Sequence, residues 1–165
     1  MKVKRAASIP LILHDPYFSI WSDTVHWCGK RQKIRGYITI DGESFCFMGD
    51  KEFHQVIPQT GIELTATGTK YTFENEKVIL TAAFTSPLLL EEPVLISRPC
   101  TYVDFEVVRK AGEADVTIDV QISADLVRFT PGAVVGGSYR TDDFSYAVMG
   151  KAEQKPLGHS GDNIT

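Results

Sequence analysis

The sequence has few cysteines, no long apolar run and no excess of positive charge, and each shortage excludes a class of protein. Its three cysteines, Cys28, Cys46 and Cys100, are odd in number and form no CxxC pair, which excludes a complete disulfide framework. The longest apolar runs, such as Pro87–Leu90, are far shorter than the ~20 residues of a transmembrane helix. Basic residues number 17 and acidic residues 21, and a net charge of −4 does not suit a binder of nucleic acid. We therefore expect neither nucleic acid nor a membrane as a partner.

The motifs of phosphate binding, nucleophilic catalysis and structural zinc are also missing. Gly132–Gly137 contains glycines, but neither the lysine of a P-loop nor the GxGxxG spacing ahead of a helix. No serine lies in a GxSxG nucleophile elbow, and the four histidines lack the short ligand spacing of a zinc site. The residues therefore imply no cofactor and no metal site, and they identify no catalytic residue.

The two ends of the chain carry signals about location and extent. The start, Met1–Arg5, is basic, but no apolar stretch of about 7–15 residues with a small-residue cleavage site follows it. We predict a cytoplasmic protein, or a secreted or periplasmic one if a leader has been removed. At the other end, the polar segment Lys151–Thr165 begins to turn apolar at Ile164 and then stops. This ending predicts that the chain is an N-terminal fragment of a longer protein.

Strand signals dominate what is present. With 165 residues, 43% of them hydrophobic, the chain is long enough to form the core of one domain. Asp41-Gly42-Glu43 separates the β-rich runs Tyr37–Ile40 and Ser44–Met48, which indicates a hairpin. Val116–Ser123 alternates apolar and polar residues, so one face of this strand is predicted to lie in the core. About eight strands and no helical period predict a single all-β domain over residues 1–165, an antiparallel β-sandwich of the jelly-roll-like or supersandwich kind.

Three less regular segments complete the predicted fold. The proline-rich link Pro87–Pro99 is predicted to cross over between the sheets, and Ser138–Met149 to form one last strand. A short helical turn is predicted near Asp50–His54.

Polar and aromatic side chains are densest near the N-terminus. The candidate ligand-binding residues are His14, Asp15, Tyr17, Trp21, His26, Trp27 and, further along the chain, Arg98. His14 beside Asp15 suggests a general base, because a carboxylate can orient an imidazole and raise its basicity. Adjacent residues of an extended chain point to opposite faces, however, so we favour a turn at Asp15-Pro16 with His14 bonded to backbone.

The aromatic members of this cluster have two interpretations. A platform on which a sugar stacks could be formed by Tyr17, Phe18, Trp21 and Trp27, but aromatic residues at this density more often close the end of a core. We favour packing, partly against another domain. Arg98 joins a loop to a strand, where an arginine is expected to act as a structural clamp on a carboxylate or on backbone carbonyls.

A series of motifs follows in a fixed order along nearly the whole chain. The motifs are Pro10–Ser22, His26–Lys30, Gly36–Gly42, Phe47–Gly49, Tyr71–Phe73, Val78–Thr81, Phe84–Leu89, Leu95–Val103 and Leu157–Asp162. In this order they resemble the opening of the glutaminase A-like proteins, large fungal and bacterial proteins described as glutaminases. The chain departs from that pattern in a shorter loop between Ser22 and His26 and in the absence of the usual signal peptide.

The resemblance implies a β-sandwich that precedes a helical, toroid-like domain similar to those of several glycoside hydrolase families. On this view the chain is the non-catalytic N-terminal sandwich, and its partner is the C-terminal helical domain of the same polypeptide. The family name implies a parent hydrolase that converts L-glutamine to L-glutamate and ammonia, with a small amide or sugar as ligand. The alternative is a carbohydrate-binding sandwich of a glycoside-hydrolase-like enzyme that uses Tyr17, Trp21 and Trp27. A self-sufficient hydrolase built on His14 and Asp15 is the third hypothesis.

Overall fold

The described part of the chain is almost entirely β structure. The computed structural model describes residues 8–13, 19–22, 33–50, 55–110, 112–127 and 132–153. In chain order its strands are β1 (Ile9–Leu13), β2 (Ser19–Ser22), β3 (Ile34–Ile40), β4 (Glu43–Met48), β5 (Gln55–Val56), β6 (Gln59–Leu64), β7 (Gly68–Glu74), β8 (Val78–Thr85), β9 (Tyr102–Arg109), β10 (Val116–Ile122), β11 (Val134–Arg140) and β12 (Ser145–Lys151). Within these ranges, helical structure is confined to α1 (Pro93–Ile96) and a 3₁₀ turn at Ala124–Val127. None of the described helices is long or apolar enough to cross a membrane.

The chain divides into two compact units, Met1–Gln121 and Ile122–Thr165. The first unit contains a sheet of order β10-β3-β4-β5, a second of order β6-β7-β8-β9, and the two-stranded sheet β1-β2. Neighbours pair antiparallel in β1–β2, β3–β4, β6–β7, β7–β8 and β8–β9, and the short contact between β4 and β5 is parallel. The second unit is built on the antiparallel hairpin β11–β12.

The predicted hairpin around Asp41-Gly42 is confirmed. Ile40 lies opposite Glu43, so Asp41 and Gly42 alone form the loop between β3 and β4. Both have positive φ angles, 51° and 85°, as a two-residue type I′ turn requires. Aspartate tolerates this region and glycine occupies it freely, which explains why these two residues close the hairpin.

The two four-stranded sheets pack face to face through aromatic side chains. Phe47 on β4 is fully buried, and its ring centroid lies 5.6 Å from that of Phe73 on β7 and 5.7 Å from that of Phe105 on β9. Rings at these separations and tilted angles make the favourable edge-to-face contacts of aromatic cores. The alternating positions of β7 and β8 supply the rest of this layer, namely Tyr71, Phe73, Val78, Leu80, Ala82 and Phe84. The predicted all-β, antiparallel β-sandwich is therefore confirmed.

The small sheet β1-β2 is attached to the sandwich through β7. The buried hydroxyl of Thr69 on β7 donates a hydrogen bond of 2.7 Å to the carbonyl oxygen of Pro10 on β1. Pro10 cannot donate through its own nitrogen, and its position in a two-stranded sheet fits the preference of proline for strand edges. Ile9 and Leu11 on either side of it are buried.

The prediction that Pro87–Pro99 crosses between sheets is wrong. The link begins after β8 and ends before β9, and these two strands are antiparallel neighbours in one sheet, with Thr85 opposite Tyr102. The chain therefore returns beside the strand that it left. The prolines of the link cannot extend the sheet, and one of them begins α1. Pro93 lies in the first turn of this helix, where the backbone N–H that proline lacks would have no partner within the helix.

The prediction of one strand over Ser138–Met149 is also wrong, because the chain reverses inside it. Thr141–Phe144 forms the turn between β11 and β12: the Thr141 N–H donates to the Phe144 carbonyl at 2.8 Å, and the Phe144 N–H donates to the Thr141 hydroxyl at 3.1 Å. Asp142 and Asp143 between them are turn residues exposed to solvent. The predicted helical turn near Asp50–His54 lies, beyond Asp50, outside the described residues.

The alternation predicted for β10 is present, but its apolar face is only partly covered. Val116 and Ile118 are half-buried, whereas Val120 is 37% exposed and Ile122 57% exposed. Because β10 lies at the edge of its sheet, it has a neighbour on one side only. The expectation that its whole apolar face belongs to the core is correct only for the first half of the strand.

Candidate functional site

Five of the seven residues proposed from the sequence lie outside the described residues. These are His14, Asp15, Tyr17, His26 and Trp27. Their grouping, and the aromatic platform of Tyr17, Trp21 and Trp27, therefore stay predictions. The structure describes the remaining two, Trp21 and Arg98.

Trp21 faces solvent from the small sheet β1-β2. Along β2 the side chains alternate, so that Ile20 and Ser22 are buried while Ser19 and Trp21 are exposed. The exposed fraction of Trp21 is 45%, and its partner across the sheet is Pro10. An exposed indole can pack against a ligand or a second domain, as both interpretations of the N-terminal cluster require.

Arg98 lies in the link between β8 and β9, directly after α1. Its backbone N–H donates to the Leu95 carbonyl at 3.1 Å, and its carbonyl accepts from Cys100 at 2.8 Å. The side chain is exposed, and no carboxylate in the described part of the chain pairs with it. The structural clamp expected for Arg98 therefore stays a prediction. The backbone around Arg98 forms a compact loop that is held by its own short-range hydrogen bonds.

The same link presents an exposed apolar surface, which we call the link surface: Leu88, Leu89, Leu90, Val94 and Ile96. Leu90 is 85% exposed and Val94 65% exposed, and no residue of α1 is buried. The segment just after β8 is folded by short-range hydrogen bonds, Leu88 N–H to Ser86 and Leu89 N–H to Pro87. Single exposed leucines are ordinary, but a contiguous apolar patch on an ordered loop is typical of an interaction site.

A second aromatic cluster lies on the β11–β12 hairpin, and sequence patterns did not identify it as a site. Tyr139 and Tyr146 face each other across the hairpin, with ring centroids 5.1 Å apart and planes 21° apart. The ring of Phe144 lies 5.9 Å from that of Tyr146. The signal for this cluster was the turn at Thr141–Phe144, because only a reversal there brings residues seven apart in sequence to one face.

A shallow cavity of about 380 Å³ accompanies this cluster, and its lining includes Tyr139, Tyr146, Ser138, Arg140 and Ser145. The volume falls within the range of small-molecule sites, about 300–1,000 Å³. Its lining residues alternate along the two strands, so the side chains of Ser138, Arg140 and Ser145 are on the opposite face from the two tyrosines.

The buried titratable side chains in the described ranges are the phenols of Tyr37 and Tyr71 and the thiol of Cys46. Tyr71 is fully buried, and burial raises the pKa of its phenol to about 12, against the smaller opposing effect of a hydrogen bond with Ser22. Ser22 is itself buried at the end of β2. A phenol with so high a pKa keeps its proton at neutral pH, which suits a structural contact and not proton transfer.

No metal centre is present within the described ranges, where no group of three or more His, Cys, Asp or Glu side chains could hold an ion. Cys46 and Cys100 are free thiols. Cys46 is fully buried and its Sγ lies 3.5 Å from the Met48 carbonyl oxygen, so it acts as a small core residue.

The clearest charge pair joins two turns of the sandwich. Lys77, in the β7–β8 turn, forms a salt bridge with Asp41, in the β3–β4 turn, and the Asp115 N–H donates to Asp41 at 3.0 Å. The hydrogen bonds from Lys77 and from Asp115 lower the pKa of Asp41, and the bond to Asp41 raises the pKa of Lys77. Both side chains are exposed, so their role is to orient the turns, and the link is sensitive to salt.

We expect Asp41→Asn to lower the melting temperature slightly at neutral pH and to have no effect in acid. Because the folded-state pKa of Asp41 is depressed, its stabilisation is present above the unfolded value near 3.8 and is lost as the pH falls through the folded value. The raised pKa of Lys77 keeps its contribution complete up to about 10.5. Thermal unfolding from pH 2 to 9 measures the difference between variant and wild type.

Glu76→Gln is the matched control, because it removes one acidic charge from the turn that carries Lys77 without touching the salt bridge. The difference in melting temperature between Glu76→Gln and wild type should not vanish selectively at acid pH. A constant difference between Asp41→Asn and wild type down to pH 2 would contradict the prediction.

Comparison with known proteins finds two domain families of unknown function and one curated enzyme. The family described as Domain of unknown function (DUF5127) matches residues 67–165, and the family described as Domain of unknown function (DUF4964) matches residues 2–58. The chain is 24% identical over 156 residues to Glutaminase A of Aspergillus oryzae (strain ATCC 42149 / RIB 40), an alignment that covers 84% of this chain and 23% of that protein. It thus spans about a quarter of the length of this curated relative. No solved structure matches the chain significantly.

Proposed function

We infer the role of this chain from a premise about its family: it belongs to the family described as Domain of unknown function (DUF5127), whose match covers more than half of its residues. It is also distantly similar to a curated enzyme, Glutaminase A, over most of its own length. We propose that the chain is the N-terminal β-sandwich region of a glutaminase-like hydrolase. In this role it supports a helical catalytic domain of the same polypeptide and does no chemistry of its own.

The observation that carries this proposal is the link surface. Its five apolar side chains lie on an ordered loop, and nothing within the described part of the chain packs over Leu90, the most exposed of them. Covering such a patch removes apolar area from water, which stabilises the contact by about 25 cal/mol for each Å² that is buried. A second domain that docks on Leu88–Leu90 and α1 would obtain this gain and would be held in a fixed orientation by the sandwich.

The site chemistry supports a scaffold more than a catalyst. The phenol of Tyr71 is buried, and burial raises its pKa to about 12, so it holds its proton at neutral pH. Hydrolysis of a glutamine side-chain amide needs a nucleophile or an activated water together with a proton donor for the leaving ammonia. The described residues do not assemble that set, so we assign the chemistry to the helical domain.

We expect Leu90→Asp combined with Val94→Asp to break the contact between sandwich and helical domain. With the two pieces of the parent polypeptide expressed separately, the wild-type sandwich should co-purify with the helical piece, and the double variant should bind at least tenfold more weakly because two charges would have to be buried. Isothermal titration measures the affinity, and ammonia release from L-glutamine measures the activity of each piece and of the complex.

Val56→Asp is the control, since Val56 is also exposed but lies on β5, away from the link. It should leave the affinity within about twofold. Ammonia release by this chain alone would overturn the scaffold role, and unchanged affinity of the double variant would overturn the link surface as the point of contact.

A further inference from the structure

Strand β9 lies at an open edge of its sheet, with β8 as its one neighbour in the described part of the chain. Lys110, directly after the strand, donates its backbone N–H to the Lys77 carbonyl oxygen at 2.8 Å. Hydrogen-bonded pairs alternate with non-bonded pairs along an antiparallel ladder, so every second residue of β9 turns its peptide groups away from β8. These residues are Val103, Phe105 and Val107, and no hydrogen bond among the described residues occupies their N–H and C=O groups.

This edge has little of the protection that sheet edges normally carry. Native edge strands are shielded from further pairing by short length, a bulge, proline or lysine. Strand β9 has eight residues in unbroken register with β8 and contains neither proline nor lysine. At the opposite edge of the same sheet, by contrast, the register of β6 shifts between Gln59 and Gly61. Of the two edges of this sheet, β9 is therefore the one suited to accept a further strand.

The inward side chains of β9 are incompletely covered. Phe105 contacts Phe47 on the other four-stranded sheet, and alternation along the strand turns Val103 and Val107 to the same side. Val103 is nevertheless 39% exposed, and Phe105 and Val107 are half-buried. A strand added beside β9 would bury more of these side chains if its own inward residues were apolar.

The outward side chains of β9 carry unpaired negative charge. Asp104 and Glu106 are exposed, and the residues opposite them on β8, Ala83 and Thr81, are uncharged. The salt bridges within the described ranges join other acids to lysine, and neither of them involves these two carboxylates. Because opposite charges directly across a ladder stabilise strand pairing, this row favours lysine or arginine on an added strand.

We propose that the free edge of β9 is a docking site for an extended segment of a protein partner, in which apolar residues alternate with lysine or arginine. The segment adds to the sheet as an antiparallel strand. Its peptide groups bond to those of Val103, Phe105 and Val107, its apolar side chains cover the same residues, and its basic side chains lie opposite Asp104 and Glu106. In strand addition the backbone bonds provide affinity, and the side chains at alternate positions provide specificity.

A second copy of the chain fits this edge less well. If two β9 strands paired antiparallel about Phe105, Asp104 of each copy would lie opposite Glu106 of the other. Like charges directly across a ladder destabilise the pairing. The acidic row therefore acts against self-association through β9 and favours a basic partner.

This site is separate from the link surface. It consists of the backbone and carboxylates of one strand, whereas the link surface consists of apolar side chains in the segment before that strand. The site therefore adds a second contact to the scaffold role and does not depend on it.

The test is titration of the 165-residue chain with a capped seven-residue peptide in which valine and lysine alternate, at about 0.15 M salt so that only short-range charge contacts act. We expect the peptide to bind and to shift the backbone amide resonances of Val103, Phe105 and Val107. N-methylation of its valines should abolish binding, because their N–H groups face β9. N-methylation of its lysines, whose N–H groups face away, should leave the affinity within about twofold.

Asp104→Lys combined with Glu106→Lys should weaken binding of the lysine peptide at least about tenfold. The same variant should gain affinity for a peptide with glutamate in place of lysine, which wild type does not bind. Unfolding cannot produce a gain of binding, so this exchange of specificity is distinct from a loss of stability.

Glu63→Lys is the matched control, since Glu63 is an exposed acid on β6, at the other edge of the same sheet. It should leave the affinity for the lysine peptide within about twofold. The proposal is overturned if the lysine peptide does not bind, if N-methylation of its valines has no effect, or if the double variant still prefers lysine. A dimer of the free chain in which the amides of Val103, Phe105 and Val107 lie at the interface would identify a second copy as the occupant and would also overturn it.

Discussion

Replacement of Phe47 by alanine is expected to lower the free energy of unfolding by about 3–5 kcal/mol. Phe47 is fully buried, and its ring contacts Phe73 and Phe105 on the opposite sheet. The loss combines the transfer free energy of the ring with the cavity that remains, which the rigid strands on both sides cannot close. Because native domains are stable by only about 5–15 kcal/mol, this single change should remove a large part of the stability of the sandwich.

Urea denaturation followed by circular dichroism measures the loss, with Phe144→Ala as the control. Phe144 is also a phenylalanine in contact with an aromatic neighbour, but it is largely exposed, so its replacement should cost less than about 1 kcal/mol. A loss below about 1 kcal/mol for Phe47→Ala would mean that this ring does not lie between the two sheets.

Gly49→Ala is expected to cost about 2–5 kcal/mol, because two separate penalties add at this position. Gly49 has a φ of 85°, which a residue with a Cβ atom adopts at a cost of about 1–2 kcal/mol. Its Cβ would also lie 2.8 Å from the backbone carbonyl oxygen of Ile34 and 3.3 Å from Cα of Arg35. These are backbone atoms of β3, so the strand itself would have to move.

Gly42→Ala separates the two penalties. Gly42 has the same φ of 85°, but no atom lies within 4 Å of its Cβ position. The Gly42→Ala substitution should therefore lower the free energy of unfolding by only about 1–2 kcal/mol, which is the conformational penalty alone. Urea denaturation of both variants measures the difference, which is the steric part. Equal losses at the two positions would contradict the close approach of Gly49 to β3.

The features that were predicted correctly depend on neighbours in sequence. The turn at Asp41 and Gly42 follows from the φ angles that these two residues accept, and the alternation along β10 follows from the period of a strand. The wrong predictions concern pairing. Pro87–Pro99 has the composition of a link, but composition does not reveal that Thr85 and Tyr102 meet in one sheet. Thr141–Phe144 is polar enough for a turn, yet the β-rich residues around it obscured the reversal.

The residues of the candidate site also divide into those that the sequence identified and those that only the fold identified. Trp21 was selected because it lies in a dense aromatic motif, and its exposure on β2 agrees with a role in contacts. The aromatic pair of the β11–β12 hairpin was not selected, since Tyr139 and Tyr146 are unremarkable until the hairpin register places them opposite each other. Leu90 and Val94 were visible as apolar residues near prolines, but only the fold shows that they lack cover.

The sequence by itself determined that this protein is an all-β sandwich with tight turns. Those properties depend on local conformational preference and on composition, which act over a few residues and need no knowledge of the partner strands. Tertiary structure alone decided which strands are neighbours, that Phe47 joins the two sheets, and which apolar side chains stay exposed to solvent. Such contacts join residues far apart in the chain, and burial is a property of the whole arrangement. The shortage of cysteine and of positive charge shaped what we expected the protein to bind, and the fold decided which side chains are available for contacts.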